Sequence, residues 1–254
     1  MENILNKSLA ELKQEFGALG LPAFRAKQVF VWAHKKLAFD FGLMTDLSKE
    51  LGAKLKEKYY LKTLRIKRTT VSKDGTKKYL MELDDGYQIE AVLLQNLEKR
   101  KTVCVSTQVG CAVACSFCAT GTLGFKRNLT VAEIIGQVYE IGRENPNISN
   151  VVFMGMGEPF LNYDHVLKSC LILIAPEGAG FGQRRITVST CGLPEGIRKF
   201  ANEDLQVRLA ISLNSALNDV RSKIMPINRK YPLEVLVEAM KYYFKTTERR
   251  ITLE

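Results

Sequence analysis

Three cysteines close together constrain this chain more than any other feature. Residues 104 to 128 hold four of its six cysteines, and Cys111, Cys115 and Cys118 follow a Cys-x3-Cys-x2-Cys spacing. Sulfur is a soft ligand, and three thiolates within eight residues converge only if a loop wraps around something they all bind, which favours iron–sulfur or zinc over harder metals. Three ligands are one short of a filled tetrahedral site. A [4Fe-4S] cluster held by three cysteines keeps one iron open to a small molecule, whereas structural zinc normally closes with four protein ligands. Cys104 is the available fourth ligand, but it lies in the apolar run Thr102-Val103-Cys104-Val105-Ser106, which reads as a strand leading into the loop and away from the metal.

The rest of the chain sets the context. At 254 residues it can bury a sizeable core, as one large domain plus a small one. No apolar run reaches the roughly 18 residues that span a membrane, and the N-terminus Met1-Glu2-Asn3-Ile4-Leu5 lacks the blocks of a signal peptide, so a cytoplasmic location and no membrane partner are expected. Clustered cysteines there point to metal or redox chemistry rather than structural disulfides. The net charge of +10 and pI of 9.3 make a phosphate-rich partner plausible. Basic residues crowd one region: Lys62, Arg65, Lys67, Arg68, Lys73, Lys77, Lys78, then Lys99, Arg100 and Lys101. That clustering favours nucleic-acid contact over a merely solvated basic face.

Residues 1–60 have apolar positions at helical spacing (Leu9, Leu12, Phe16; Phe24, Ala26, Val29, Phe30, Ala33, Leu37), with Pro22 suited to a first turn, and predict a small helical module. Residues 61–101 form a basic linker region, in which Lys78 to Leu83 and Tyr87 to Leu94 alternate around Asp84-Asp85-Gly86, the signature of a β-hairpin. From 102 to 254 strands alternate with helices: strand Thr102 to Val109; helix Val131 to Arg143, begun by Thr130 with Glu133 as capping-box partner; strand Asn150 to Met156; helix Tyr163 to Ile174; strand Arg185 to Thr190; helix Pro194 to Ala201; strand Val207 to Leu213; helix Leu233 to Lys245; and the opening of a fifth strand at Arg250 to Glu254. Such alternation implies an α/β fold, a parallel sheet closed or part-closed as a (β/α) barrel, with chemistry at the strands' C-terminal ends. Those ends read Gly155-Met156-Gly157-Glu158-Pro159, Ser189-Thr190-Cys191-Gly192 and Ser212-Leu213-Asn214-Ser215. Glycines let a ligand approach the backbone, and a carboxylate such as Glu158 can bind an ammonium group or ribose hydroxyls. Singly each is an ordinary turn; with the cysteine loop they outline one pocket.

A Cys-x3-Cys-x2-Cys loop after the first strand, with Phe117 before its last cysteine and a Gly-Glu-Pro turn after the second strand, resembles the radical S-adenosylmethionine (SAM) superfamily. Within it, Ser106 to Cys111, Gly124 to Thr130, Met154 to Pro159 and Met225-Pro226-Ile227-Asn228 resemble the RlmN and Cfr family of RNA methyltransferases, with Pro159 favouring the RlmN branch. The resemblance runs from the N-terminal module to the last residue. It implies a partial radical SAM barrel in which Cys111, Cys115 and Cys118 hold a [4Fe-4S] cluster and Gly157, Glu158, Ser189, Ser212, Leu213 and Asn214 line the SAM site. Reduction of the sulfonium there gives a 5′-deoxyadenosyl radical. It further implies methylation of carbon 2 of an adenine in 23S rRNA and in some tRNAs, through a methyl group carried on a C-terminal cysteine and a ping-pong type mechanism. By position, Cys104 matches the resolving cysteine that forms a transient disulfide with that carrier, and Glu90 matches the base that takes the carbon-2 proton. A monomer served by an electron donor such as flavodoxin or ferredoxin is implied as well.

Plainer readings stand beside these. Without the family, Cys104 is an inert core thiol and Glu90 the solvated face of an alternating strand. Cys170 reads as core, His34 and His165 as structural, and Cys191, where relatives are expected to carry Ser or Thr, as a pocket neighbour with no marked role. Asn214 stands where many relatives are expected to carry His. The fifth strand is the last element, so the barrel is expected to be C-terminally truncated, with an exposed edge, without its methyl carrier and therefore inactive on its own. The rival functions are a Cfr-like methyltransferase acting at carbon 8 and a non-catalytic RNA-binding protein with zinc on Cys104, Cys111, Cys115 and Cys118.

Overall fold

The computed structural model describes residues 1–95 and 100–254; Lys99 of the basic cluster lies outside the described residues. The chain opens with β1 (Glu2–Asn3), α1 (Leu9–Ala18), α2 (Ala23–His34), α3 (Lys49–Lys58) and β2 (Tyr59–Tyr60), the last pairing parallel with β1. Helix α1 starts at a capping box: Ser8 Oγ accepts from the Glu11 N–H at 3.2 Å and the Glu11 carboxylate accepts from the Ser8 N–H at 2.7 Å. Three antiparallel strands follow, β3 (Arg65–Val71), β4 (Lys77–Glu82) and β5 (Gln88–Gln95). The hairpin read from Asp84-Asp85-Gly86 is therefore present, with Gly86 at φ +84°, and β3 extends it to a meander.

Beyond it run β6 (Lys101–Cys104), β7 (Gln108–Val109), α4 (Ala119–Thr122), β8 (Arg127–Asn128), α5 (Val131–Glu144), β9 (Ile148–Phe153), α6 (Tyr163–Ile174), β10 (Ile186–Thr190), α7 (Pro194–Ala201), β11 (Arg208–Ile211), α8 (Asn218–Ile224), α9 (Ile227–Lys230), α10 (Leu233–Thr247) and β12 (Ile251–Leu253). One eight-stranded sheet has the order β12-β11-β10-β9-β6-β5-β4-β3. Its five strands from β12 to β6 are parallel and the other three antiparallel, so the fold is α/β, with the parallel strands forming a partial barrel sheet. The basic meander belongs to that sheet, because β5 pairs with β6 in the register Val92↔Cys104 and Leu93↔Val103.

The alternating pattern overruns the strands it marks. The run Thr102 to Val109 is a strand only as far as Cys104: Val105 still donates to Val152 O at 2.9 Å, but the Thr107 and Gln108 amides turn to Met156 O at 2.8 and 3.2 Å, and Gln108–Val109 pair instead with Arg127–Asn128. The two short helices α8 and α9 carry too little periodicity to be read from sequence. The core lies between the sheet (Val103, Val151, Phe153, Val188, Leu209, Ile211) and the inner faces of α5, α6, α7 and α10, and Cys170 is buried in it as expected. Both histidines are structural in their contacts. His34 lies buried with Nδ1 2.8 Å from the Tyr139 hydroxyl, joining α2 to α5, and burial pushes its pKa down to about 3; His165 donates to Leu129 O at 2.9 Å.

Helix α5 begins at the capping box foreseen from Thr130 and Glu133, and the Asn6 side chain accepts from the Ala132 N–H at 2.8 Å, tying the N-terminal module to the helix start. Removing the cap alone in Thr130→Ala should lower stability by about 1 kcal/mol. Urea denaturation checks this: the midpoint should fall with the slope unchanged.

Candidate active site

The site is built where residues 105–108 and 154–158 cross. A Cβ on Gly155 would lie 2.8 Å from the Ser106 N, and one on Gly157 2.6 Å from the Gln108 Cβ, so both positions admit only glycine at this separation; Gly157 also sits at φ +102°. Hydrogen bonds fix the crossing. The Ser106 hydroxyl donates to Glu90 O at 2.6 Å and accepts from the Met156 N–H at 2.8 Å, Gln137 holds both the N–H and C=O of Ser106 at 2.8 and 2.9 Å, and the Gln108 amide oxygen accepts from the Glu158 N–H at 2.9 Å.

Above the crossing is a cavity of about 360 Å³. It brings together Cys111, Cys115, Cys118, Gly157, Glu158, Ser189, Ser212 and Asn214, with Phe117 on its wall. Glu90, Cys104 and Leu213 do not line it. The Glu158 carboxylate is 3% exposed and accepts from the Cys191 N–H at 2.7 Å and the Phe160 N–H at 3.0 Å; burial raises its pKa against the pull of those donors. Ser189 Oγ lies 3.3 Å from Ser212 Oγ and donates to the Glu254 carboxylate at 3.0 Å. Asn214 has left-handed backbone at φ +58°, which Asn tolerates well, and its Nδ2 lies 3.3 Å from the Met225 sulfur.

The cysteine loop is closed at its base, where a Cβ on Gly110 would lie 1.6 Å from Gly124 O, and braced at its far side by the Ser116 N–H donating to Ile224 O of α8 at 2.9 Å. Burial, then the neighbouring thiols of Cys111 and Cys118, push Cys115 up to about 11, and burial raises Cys111. Three soft donors, mutually repelling as thiolates and gathered on one cavity wall, fit a cationic iron–sulfur centre with an open side toward the serines and Glu158. Cys104 stands apart on β6, where burial pushes it up to about 11. Among the described residues no three His, Cys, Asp or Glu side chains are gathered closely enough for a single metal ion. Glu90 faces outward from β5 and pairs with Lys78 at 2.9 Å, yet its backbone joins the crossing through Ser106 and through its N–H to the Met156 sulfur at 3.3 Å.

Sequence reasoning missed Glu254 and Arg221. Glu254 is the final residue of the strand run and carried no motif. Arg221 reads as a solvated helix position but is wholly buried, its guanidinium donating to Leu213 O at 3.0 Å, Cys191 O at 2.6 Å and Asn228 Oδ1 at 2.8 Å. The signal available was Met225-Pro226-Ile227-Asn228, whose Asn228 turns out to be the buried partner of Arg221. A second cavity, of about 400 Å³, lies between the N-terminal module, the hairpin and α5; Arg127 beside it is already forked between Asp85 and Glu133.

A parallel sheet carrying three cysteines and a Gly-Glu turn at one end defines a radical SAM protein, and the family model of the radical SAM superfamily matches residues 105–252. The model of the ribosomal RNA large subunit methyltransferase N-terminal domain matches residues 2–61. Probable dual-specificity RNA methyltransferases RlmN are similar over the whole chain: that of Syntrophomonas wolfei is 47% identical over 265 residues and that of Dictyoglomus thermophilum 46% over 258, this chain spanning 74% of each relative's length. The crystal structure of a radical SAM methyltransferase from Sphaerobacter thermophilus superposes with a TM-score of 0.93 at 44% identity, covering 100% of this chain and 75% of that one. The chain belongs to the RlmN family of radical SAM RNA methyltransferases.

Exposure separates the thiols. In iron-free, reducing buffer at pH 8, iodoacetamide should label Cys111, Cys115 and Cys118 at least ~10-fold faster than the buried Cys170 and Cys191, which react only through local opening. Peptide mass spectrometry over a time course checks the order.

Proposed function

We propose that this chain supplies the cluster- and SAM-binding part of an enzyme that methylates carbon 2 of adenine in 23S rRNA and in tRNA. The observation that carries it is the single cavity shared by the three cysteines, the Gly157-Glu158 turn and the serine pair. Cys111, Cys115 and Cys118 hold a [4Fe-4S] cluster, which when bound supplies the electron that cleaves the sulfonium of SAM. Glu158 and Gly157 orient the amino-acid end of SAM, while Ser189, Ser212 and Asn214 meet its hydroxyls. The apolar cap of Val113, Cys191 and Met225 keeps water from the loop.

On the outer side, Glu90 takes the carbon-2 proton, with the Lys78 ammonium 2.9 Å from its carboxylate. Cys104 is the resolving thiol, which forms a transient disulfide with the methyl-carrying cysteine. Arg65, Arg68 and Lys73 face solvent on the meander and make no ion pair among the described residues, whereas Lys62 and Lys67 are paired with Asp84 and Glu82; the solvent-facing set meets RNA phosphates, and the target base turns out of its stack to reach the cavity. A low-potential flavodoxin or ferredoxin serves as donor to a monomeric, cytoplasmic enzyme. Among the described residues no helix is long and apolar enough to cross a membrane.

Anaerobic reconstitution followed by iron, sulfide and zinc analysis tests the metal assignment: about four irons are expected, and zinc without iron sinks it. Cys118→Ala should lose the iron and with it the release of 5′-deoxyadenosine from SAM. With the full-length enzyme, Glu90→Gln should keep both while methylated adenine falls by roughly 100-fold. Nucleoside mass spectrometry against synthetic standards locates the methyl group; 8-methyladenosine as the product would overturn the carbon-2 reading in favour of the Cfr-like one.

A further inference from the structure

The parallel strands carry opposite charge at their two ends. Side chains alternate along a strand, so Arg208 shares a face with Ser212, and Arg250 shares one with Glu254. Ser212 and Glu254 belong to the cavity at the C-terminal ends, whereas the N-terminal ends are basic. The parallel register Leu209↔Ile251 sets Arg208 beside Arg250 one step earlier, placing two guanidinium groups on neighbouring strands. Like charges so placed weaken a sheet unless something lies between them. Arg184 and Arg249 complete the set around a cavity of about 460 Å³, whose lining holds no Asp or Glu among the described residues.

Two of the four arginines are held in place by neutral oxygens. Arg184 Nε donates to Gln206 Oε1 at 3.0 Å, and Arg249 Nη1 donates to Val207 O at 3.1 Å and to Leu205 O. Arg208 and Arg250 face solvent and make no ion pair among the described residues. The acids nearest in sequence, Glu203, Asp204 and Glu248, line an adjoining cavity that shares Arg184 and Arg249, yet none of them pairs with either. One wall of the basic cavity lacks a partner as well. Tyr243 is wholly buried there, and its hydroxyl has no hydrogen-bond partner among the described residues. The Thr247 hydroxyl one turn along α10 is already engaged, donating to Tyr243 O at 2.8 Å and accepting from the Arg249 N–H at 3.2 Å. A buried hydroxyl left unmet destabilises a fold, and Phe at this position would avoid that. The Arg249 guanidinium lies 5.3 Å from the centroid of the Tyr243 ring, so cation and hydroxyl share one wall.

We propose that this cavity is a binding site for phosphate, held between the Arg208 and Arg250 forks, with Arg249 and the Tyr243 hydroxyl as further donors. Each guanidinium offers paired N–H groups in a plane, which match the oxygens of a phosphate two at a time. Several such forks supply more donors than the two oxygens of a carboxylate can accept, so a phosphate group, with more oxygens and more charge, is the better match. The room exceeds that of one ion and admits two linked phosphates. The phosphate belongs either to a free diphosphate compound or to the backbone of an RNA. The site lies at the end of the sheet opposite the cysteine loop and is independent of what that loop binds.

The test titrates the intact protein with inorganic pyrophosphate by isothermal calorimetry at fixed ionic strength. Saturable binding is expected, with a Kd that rises at least about tenfold in the double variant Arg208→Gln/Arg250→Gln, the loss of two charge-assisted contacts. Both side chains face solvent without an ion pair, so the exchange removes no contact that the fold needs. Lys245→Gln removes charge outside the lining and should bind as wild type does. Tyr243→Phe should weaken binding about fivefold. Absence of saturable binding, or a double variant weakened no more than Lys245→Gln, overturns the site; a Phe variant as tight as wild type overturns the hydroxyl's part in it. A second arm, which alone rests on the RNA-methylation reading, follows tRNA binding against salt. If RNA supplies the phosphate, pyrophosphate competes and the double variant lowers the slope of log Kd against log salt by about two. An unchanged slope beside saturable pyrophosphate binding assigns the site to a free phosphate compound.

Discussion

Everything at the mouth of the sheet depends on two chain segments lying against each other with no room between them. Where 105–108 meets 154–158, the absent side chains of Gly155 and Gly157 set the distance, and Ser106, Gln137 and Gln108 hold it with directional bonds. From that crossing one segment runs on into the cysteine loop and the other into Glu158. The two therefore face each other across one cavity because their bases are locked together. A larger residue at either glycine would separate the cysteines from the turn opposite them.

The charge arrangement follows from the same geometry. Glu158 and Glu254 place two carboxylates on the cavity, three thiols sit on another wall, and among the described residues no Lys or Arg side chain lines it. Such a site favours a ligand that brings positive charge, as a sulfonium with an ammonium group does, and a metal centre that replaces thiol protons. The Cys191 and Phe160 amides satisfy the Glu158 oxygens, while burial raises its pKa against their pull.

Much of this was legible in the sequence because the signals are local. Cysteine spacing, the capping box at Thr130, the Asp-Gly turn and the alternation of strands with helices each depend on neighbouring residues, and each is where it was read. What escaped depends on contacts made far along the chain. The strand expected over 102–109 ends early because the Thr107 and Gln108 amides find Met156 O, forty-odd residues on. Arg221 looks like any solvated helix position until Cys191 and Asn228 close over it, and Glu254 gains meaning only beside Ser189, 65 positions earlier. The resemblance to a known family supplied roles for Glu90 and Cys104 that no local pattern carries.

The meander's membership in the main sheet bears on how a polynucleotide reaches the cavity. A hairpin on a flexible linker could close over its substrate, but β5 pairs with β6 from Val92↔Cys104 to Gln95↔Lys101, and Glu90 is tied by its N–H and C=O to Met156 and Ser106. Glu90 and the Gly157-Glu158 turn thus belong to one hydrogen-bonded framework, and moving one relative to the other would break buried bonds that cost about 1–3 kcal/mol each to leave unmade. A base that fits both the outer carboxylate and the inner cavity has to adapt its own backbone, since the protein presents the two at a fixed separation. For the RNA methylation proposed above, that rigidity favours a base that is already strained or unstacked, because such a base enters at the lowest cost.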